Sequence, residues 1–438
     1  TTTNARAHDL TRTTTTTTTS SQRRDAIVMR AARHRDEHRR AATTVRDAAR
    51  TALGTFVREA REAYVAARGD VHVVVGNEAC DLDSVACAVA YAYVESASSA
   101  SSSMVVPIVS CAREDIYLRP DVVYALREVG VEIEDVLYLD DVVGADVATP
   151  KSICLVDHNA LSARIFPRAW GGRVRRIIDH HEDARAHDQG ECVKVIELIG
   201  SCASLVHRDV VAAKREALDA SGARDVARLL LGAVVLDTRL LDASTTRASA
   251  IDFETADALR ATLDWDEDAA RREYETLSAA RHDQSAFTCA QLLAKDYKQW
   301  TMGAYEIGVA SFGVRLQDLA ARQDASSIDA ECDAFMASRR VHALFMMTSF
   351  EDADAGGAYT RQIAVTRPVE GALDCADVMR RVNERTPVAA FDVDSNASTK
   401  ASRALRASYA MADVKASRKK VQPILVDVFT ALSAETRS

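Results

Sequence analysis

Short apolar runs, each closed by a glycine or a polar cluster, mark the first half of the chain. Val71–Val75 is the first, and its mostly β-branched residues predict a short buried strand. Val105–Val109, Val136–Leu139, Ile153–Val156 and Val174–Ile178 repeat the pattern, and 193–198 adds another. Between these runs apolar residues return at helical spacing. Val45, Ala49, Leu53, Phe56, Val57, Ala60 and Tyr64 predict a helix over 45–68, ended by Gly69. Val85, Ala88, Val89 and Ala92 mark a second, with Ser84 placed as its cap. Asp121–Val129 reads as helix, as does the strongly apolar 225–241, which ends near Asp237; 249–282 extends the texture. Such alternation predicts an α/β fold with a doubly wound, mostly parallel sheet.

From about residue 286 the pattern changes. Strand-like runs at Ala304–Ala310, His342–Ser349 and Arg361–Val365 alternate with helical patterns at 327–340, 372–384 and 416–432, and Asp352–Gly357 reads as a polar hairpin. A smaller α/β domain with a mixed sheet is expected there. Thr13–Thr19 and scattered arginines give 1–44 little apolar content, so that stretch is expected to be disordered. The expected organisation is therefore a low-complexity segment over 1–44, one domain over 45–283 and a second over 284–438.

Composition narrows the choices. The net charge of −9 over 438 residues argues against a nucleic-acid partner, so any polyanion must meet a local basic cluster. Nine cysteines, an odd number without metal-type spacing, point to a reduced, cytoplasmic setting. The Arg- and Thr-rich start also weakly resembles an organelle-targeting segment. No apolar run is long enough to span a membrane. Nothing in the sequence specifies an oligomeric state.

The chemistry is concentrated where apolar runs end. VHVVVGNEACDLDS carries Asn77, Asp81 and Asp83 from the end of a strand to the start of a helix. ICLVDHN ends in Asp157, His158 and Asn159; RRIIDHH ends in Asp179, His180 and His181; VVLDT carries Asp237. A single strand ending in aspartate is an ordinary cap. Several such ends in a parallel sheet face one crevice. Acids gathered there repel, which raises a pKa unless cations intervene. Carboxylates with an imidazole suit Mn²⁺ or Mg²⁺, with Co²⁺ also compatible, and four carboxylates suffice for two ions. Such a pair would serve phosphoester or phosphoanhydride hydrolysis.

GNEACDLDS, LVDHN, IIDHH and LDT, in that order, resemble the DHH phosphoesterase superfamily. Asn77, GSCASLV at 200–206 and the 113–131 segment resemble the cytosolic exopolyphosphatase and prune-type branch. SRKKVQPIL at 417–425 is similar to the basic motif of its DHH-associated C-terminal domain. The resemblance implies two divalent cations. Asp81 and Asp157 would hold one, with Asn77 as a poor or water-mediated ligand; Asp83, Asp157, His180 and Asp237 would hold the other. His181 would face the scissile phosphate, and Asp179 would orient His180 or its neighbours. Lys298, Arg418 and Lys419 would bind substrate. Lys400, Arg403, Arg406 and Lys415 could extend that cationic strip. Ser201 reads first as a helix cap and second as part of a phosphate cradle. The activity implied is removal of terminal phosphate from linear polyphosphate. The alternatives are a manganese-dependent inorganic pyrophosphatase, against which Asn77 argues, and a prune-type phosphoesterase acting partly through protein partners.

Overall fold

The computed structural model describes residues 51–67, 71–98, 105–143, 149–188, 191–245, 247–352, 356–371, 373–386, 388–390 and 401–435. The expected disordered segment 1–44 and Lys400 lie outside them, as do Val45 and Ala49 of the first helix.

The first sheet has six strands: β1 (His72–Val75), β2 (Val105–Val109), β3 (Leu137–Tyr138), β4 (Ser152–Val156), β5 (Val174–Asp179) and β6 (Val193–Ile196). Their spatial order is β3-β2-β1-β4-β5-β6, and every pairing is parallel. The β-branched runs predicted this: Ile153–Val156 is buried along its whole length, as a strand covered on both faces must be. Each such Val, Ile or Leu contributes roughly 1.5–3 kcal/mol by leaving water. The covering helices are α1 (Ala52–Ala67), α2 (Leu82–Ser98), α3 (Pro120–Glu128), α4 (Cys202–Val206), α5 (Ala220–Asp237), α6 (Ala250–Leu263) and α7 (Glu267–His282). The expected helix over 249–282 is two, because Asp264 adopts a left-handed conformation and stops α6.

The chain runs from β1 outward to β2 and β3, then crosses back to lay β4 on the other side of β1. The crevice beyond β1 and β4 is thus a topological switch point, where open α/β sheets bind ligands.

The second sheet is mixed. It comprises β7 (Tyr297–Met302), β8 (Tyr305–Phe312), β9 (Ala343–Asp352), β10 (Ala358–Thr366), β11 (Val388–Ala390) and β12 (Ser408–Met411), ordered β11-β12-β10-β9-β8-β7. Only β8 and β9 pair in parallel. Its helices are α8 (Cys289–Lys295), α9 (Leu316–Arg322), α10 (Ala325–Arg339), α11 (Cys375–Asn383) and α12 (Arg418–Glu435). Alternation along β9 fills two cores: Leu344 and Met346 enter one, Phe345 and Met347 the other. Strands β7, β11 and β12 carry weak apolar signals and were not expected. Among the described residues no helix is long and apolar enough to cross a membrane.

Candidate active site

The site begins with the turn after β1. The helix cap there is Asp81, whose Oδ1 accepts the Ser84 amide at 3.2 Å. Ser84, expected as the cap, instead lies inside α2 and offers its hydroxyl to the Asn77 carbonyl at 3.3 Å. The helix starts three residues early because Asp81 reaches the orphan amide first. Asp83 then falls in the first turn of α2 and points into the protein, 3% exposed.

Asp83 is fastened from a distant segment. Its Oδ1 accepts the Ser201 hydroxyl and the Ala203 amide, both at 2.8 Å, and its Oδ2 accepts the Cys202 amide at 2.7 Å. Ser201 is fully buried and caps α4. Its hydroxyl is therefore committed to Asp83 and the helix end, which is the helix-cap role read first from the sequence.

Asn77 joins the two central strand ends. Its Nδ2 donates to the Asp157 carbonyl at 2.9 Å, while its Oδ1 accepts the Ala79 amide at 2.9 Å. Asp157 sits at φ 62°, a left-handed conformation that costs a non-glycine residue free energy and is found at functional sites. That strain turns its carboxylate toward β5. There His180 Nε2 lies 3.2 Å from Asp157 Oδ1 and 3.7 Å from Asp83 Oδ2. The other ring nitrogen, Nδ1, is 3.1 Å from the Ile199 carbonyl. A carbonyl can only accept, so Nδ1 carries the proton and Nε2 is left to face the acids.

Asp179 is completely buried beneath His181. Its Oδ1 faces His181 Nδ1 at 2.9 Å and accepts the amides of His180 at 2.8 Å and His181 at 3.2 Å. Asn159 Nδ2 donates to its other oxygen at 2.5 Å. Asp179 thus orients His181 directly, and reaches His180 only through its backbone. Ligand atoms of Asp157, His180 and His181 lie within 4.8 Å of one another.

These groups open on a cavity of about 510 Å³ lined by Asn77, Asp81, Asp83, Asp157, His180, His181 and Asp237, with Leu198–Gly200 and Arg247–Ser249. Burial raises the pKa of Asp83, and Asp81 adds to it. Burial likewise raises Asp157 and Asp237, reinforced by the neighbouring carboxylates. Burial alone would lower the His180 pKa, but its hydrogen bond to Asp157 and the charges of Asp83 and Asp157 outweigh that and raise it. So much buried negative charge calls for protons or cations. The donor set, carboxylate oxygens with one free imidazole nitrogen, fits a hard or borderline divalent ion. Buried Cys87 and Cys202 lie beneath, and burial holds both thiols well above their usual range, so no thiolate competes.

The second sheet contributes nothing to this cavity among the described residues. Lys298 is exposed on the edge strand β7. Arg418 opens α12 and is held by Asp296: its guanidinium meets Asp296 Oδ1 and the Asp296 carbonyl, both at 2.7 Å. Lys419 is exposed beside it. Arg403, read as part of a cationic strip, is spent on Asp333 at 2.6 Å and the Arg367 carbonyl. Arg247 and Asp252 escaped the sequence reading, and Asn159, named there only as the end of a strand motif, proves to be the donor that fixes Asp179. Ser249-x-x-Asp252 does carry a capping-box spacing that marks the start of α6; Arg247 has no local signal.

Two family descriptions match the chain: "DHH family, N-terminal domain" over residues 72–234 and "DHHA2 domain" over 275–428. The chain is 29% identical over 385 residues to Exopolyphosphatase PRUNE1 of Rattus norvegicus, covering 86% of this chain and 79% of that protein. It is 28% identical over 370 residues to the Homo sapiens protein of the same name, covering 82% and 76%. A "Probable manganese-dependent inorganic pyrophosphatase" of Bacillus licheniformis is 28% identical over 181 residues, 41% of this chain and 54% of that one.

Proposed function

Because the chain belongs to the DHH phosphoesterase superfamily, in the prune-type branch with a C-terminal DHHA2 domain, we propose that it is a metal-dependent exopolyphosphatase that removes terminal phosphate from linear polyphosphate. The observation that carries this reading is the convergence of Asp83, Asp157 and His180, from three separate segments, on one negatively charged cavity. The names of the rat and human relatives support the substrate class.

In this reading Asp81 and Asp157 hold one divalent cation, Mn²⁺ or Mg²⁺. Asp83, Asp157, His180 and Asp237 hold the second. Bound cations supply Lewis acidity to phosphoryl oxygens and acidify water at the site. The protein's own groups do the rest. Asn77 keeps Asp157 in its strained conformation, and the Ile199 carbonyl fixes the His180 ring. Asp179 holds His181 with Nδ1 turned inward, leaving Nε2 to meet a phosphoryl oxygen and to give or take a proton there. Lys298, Arg418 and Lys419 neutralise the leaving chain once the second sheet's unit closes over the cavity.

The pyrophosphatase likeness favours a second reading, hydrolysis of pyrophosphate itself. Phosphate release from pyrophosphate, tripolyphosphate and long chains, each with Mn²⁺, Mg²⁺ or Co²⁺, separates the two. Faster turnover of tripolyphosphate and longer chains supports the exopolyphosphatase. Turnover of pyrophosphate alone supports the second reading, and release insensitive to chelator refutes both.

A further inference from the structure

Two divalent cations would balance the four cavity carboxylates, but a bound phosphoryl group brings further negative charge that something must meet. The second sheet's cations do not line the cavity. Arg247 does, and among the described residues it is the sole lysine or arginine that lines it. No other sequence feature marked it.

The geometry points to Arg247 as a substrate-binding cation built into the first unit, its guanidinium gripping the phosphoryl oxygens of bound polyphosphate. This rests on the phosphohydrolase reading above. Three observations carry it. The main chain at Arg247 is fixed: a Cβ on Gly200 would stand 2.6 Å from the Arg247 carbonyl oxygen, so the two segments touch and only glycine fits. Behind them, fully buried Asp252 accepts the Gly200 amide at 2.9 Å, the Ser249 amide at 2.7 Å, and the hydroxyls of Ser249 and Ser204 at 2.8 and 2.7 Å. Ser249 is therefore committed, whereas among the described residues no carboxylate pairs with the Arg247 guanidinium.

The path of the chain supplies the third. Just past Asp237, residues Arg239, Leu240 and Leu241 are all left-handed, at φ 53°, 59° and 59°. Such a run is unfavourable for non-glycine residues. It bends the chain so that Asp237 and Arg247 return to the same cavity from opposite ends of one loop. A guanidinium offers paired donors that match a phosphoryl group better than an ammonium does.

The test uses the full chain loaded with Mn²⁺, comparing wild type with Arg247→Ala and Arg247→Lys. Tripolyphosphate kinetics, calorimetry with inorganic phosphate and Mn²⁺ titration are read together. In Arg247→Ala, KM and the phosphate Kd should both rise about tenfold or more, the loss expected of a charged hydrogen bond. Mn²⁺ affinity and the thermal midpoint should hold, and Arg247→Lys should recover part of the loss. Unchanged KM and phosphate affinity in Arg247→Ala would overturn the assignment, as would losses confined to Mn²⁺ affinity or folding. A wild type that binds phosphate yet hydrolyses no polyphosphate would sink the parent reading alone, and calorimetry would still judge Arg247. A wild type that binds no phosphate overturns the assignment too.

Discussion

At the edge of the first sheet, Asp83, Asp157 and Asp179 are 3%, 2% and 0% exposed, and donors from distant segments are locked onto them. On the second sheet, Arg418 pairs with an Asp296 whose side chain is 53% exposed, and Lys298 and Lys419 lie in solvent. The contrast is between charge the fold imposes and charge it leaves adjustable. A buried acid cluster cannot relax; it must be neutralised by ions or protons. The pair is open to solvent on its Asp296 side, while the Arg418 side chain is 15% exposed, so a phosphate can compete with the Asp296 carboxylate for the guanidinium from that side. The first region would decide whether chemistry occurs, and the second how well a long anion is held.

The comparison breaks most sharply at Asp157. Asp157→Asn should reduce phosphate release on the order of a thousandfold, since several kcal/mol of metal-derived stabilisation are lost. The metal-free protein should keep its thermal midpoint or gain, because a buried charge is removed. Near-normal turnover would mean that the cluster is structural.

Asp179→Asn tests orientation rather than ligation. Turnover should fall about 10–100-fold with Mn²⁺ affinity nearly intact, because His181 loses its anchor. A parallel loss of Mn²⁺ affinity would instead make Asp179 part of the ion site.

For the second region, Arg418→Ala with Lys419→Ala should raise KM on long chains about tenfold. Asp296→Asn should lower it a few-fold, by releasing Arg418. If neither moves KM, these cations have no part in substrate binding.

The pH response separates the regions again. The folded-state pKa values of Asp83, Asp157 and Asp237 are raised, so their contribution to stability is full below the unfolded carboxylate range and is lost as pH rises through the raised values. His180, also raised, acts in the same sense: its contribution is full below its unfolded pKa and lost as pH rises through about 10. The metal-free thermal midpoint should therefore fall with rising pH from about pH 4 upward. Mn²⁺ affinity should rise about tenfold per pH unit for each proton displaced. A flat midpoint and a flat affinity would show that the acids are not coupled. The smallest effect expected is for Ser201→Ala, which removes the hydroxyl bond to Asp83 and leaves those from the Cys202 and Ala203 amides and the Cys87 thiol. A loss of about 1 kcal/mol in chemical denaturation is expected, with KM unchanged.

Much of this was legible beforehand, for identifiable reasons. Strands buried on both faces need unbroken apolar runs, so Ile153–Val156 and Val174–Ile178 announced themselves, and the acids stood out because they follow such runs directly. The exposed edge strand β7 needs no such run, so Lys298 could not be placed on a strand from its neighbours. The cap of α2 went to Asp81 over Ser84 because two capping residues lay within one turn, and local sequence does not choose between them.

What the sequence alone determined was the inventory: which side chains could ligate, and which runs had to be buried, since both follow from residue type and periodicity. Only the tertiary structure decided the pairings. The crossover that puts β4 beside β1 brings Asn77 to Asp157. The long return through α5 sets Arg247 against Gly200. The α4 end makes Ser201, a helix cap by its sequence, also the support of Asp83. These contacts join residues far apart along the chain, and strand order and close packing, which no local pattern encodes, select which distant groups meet.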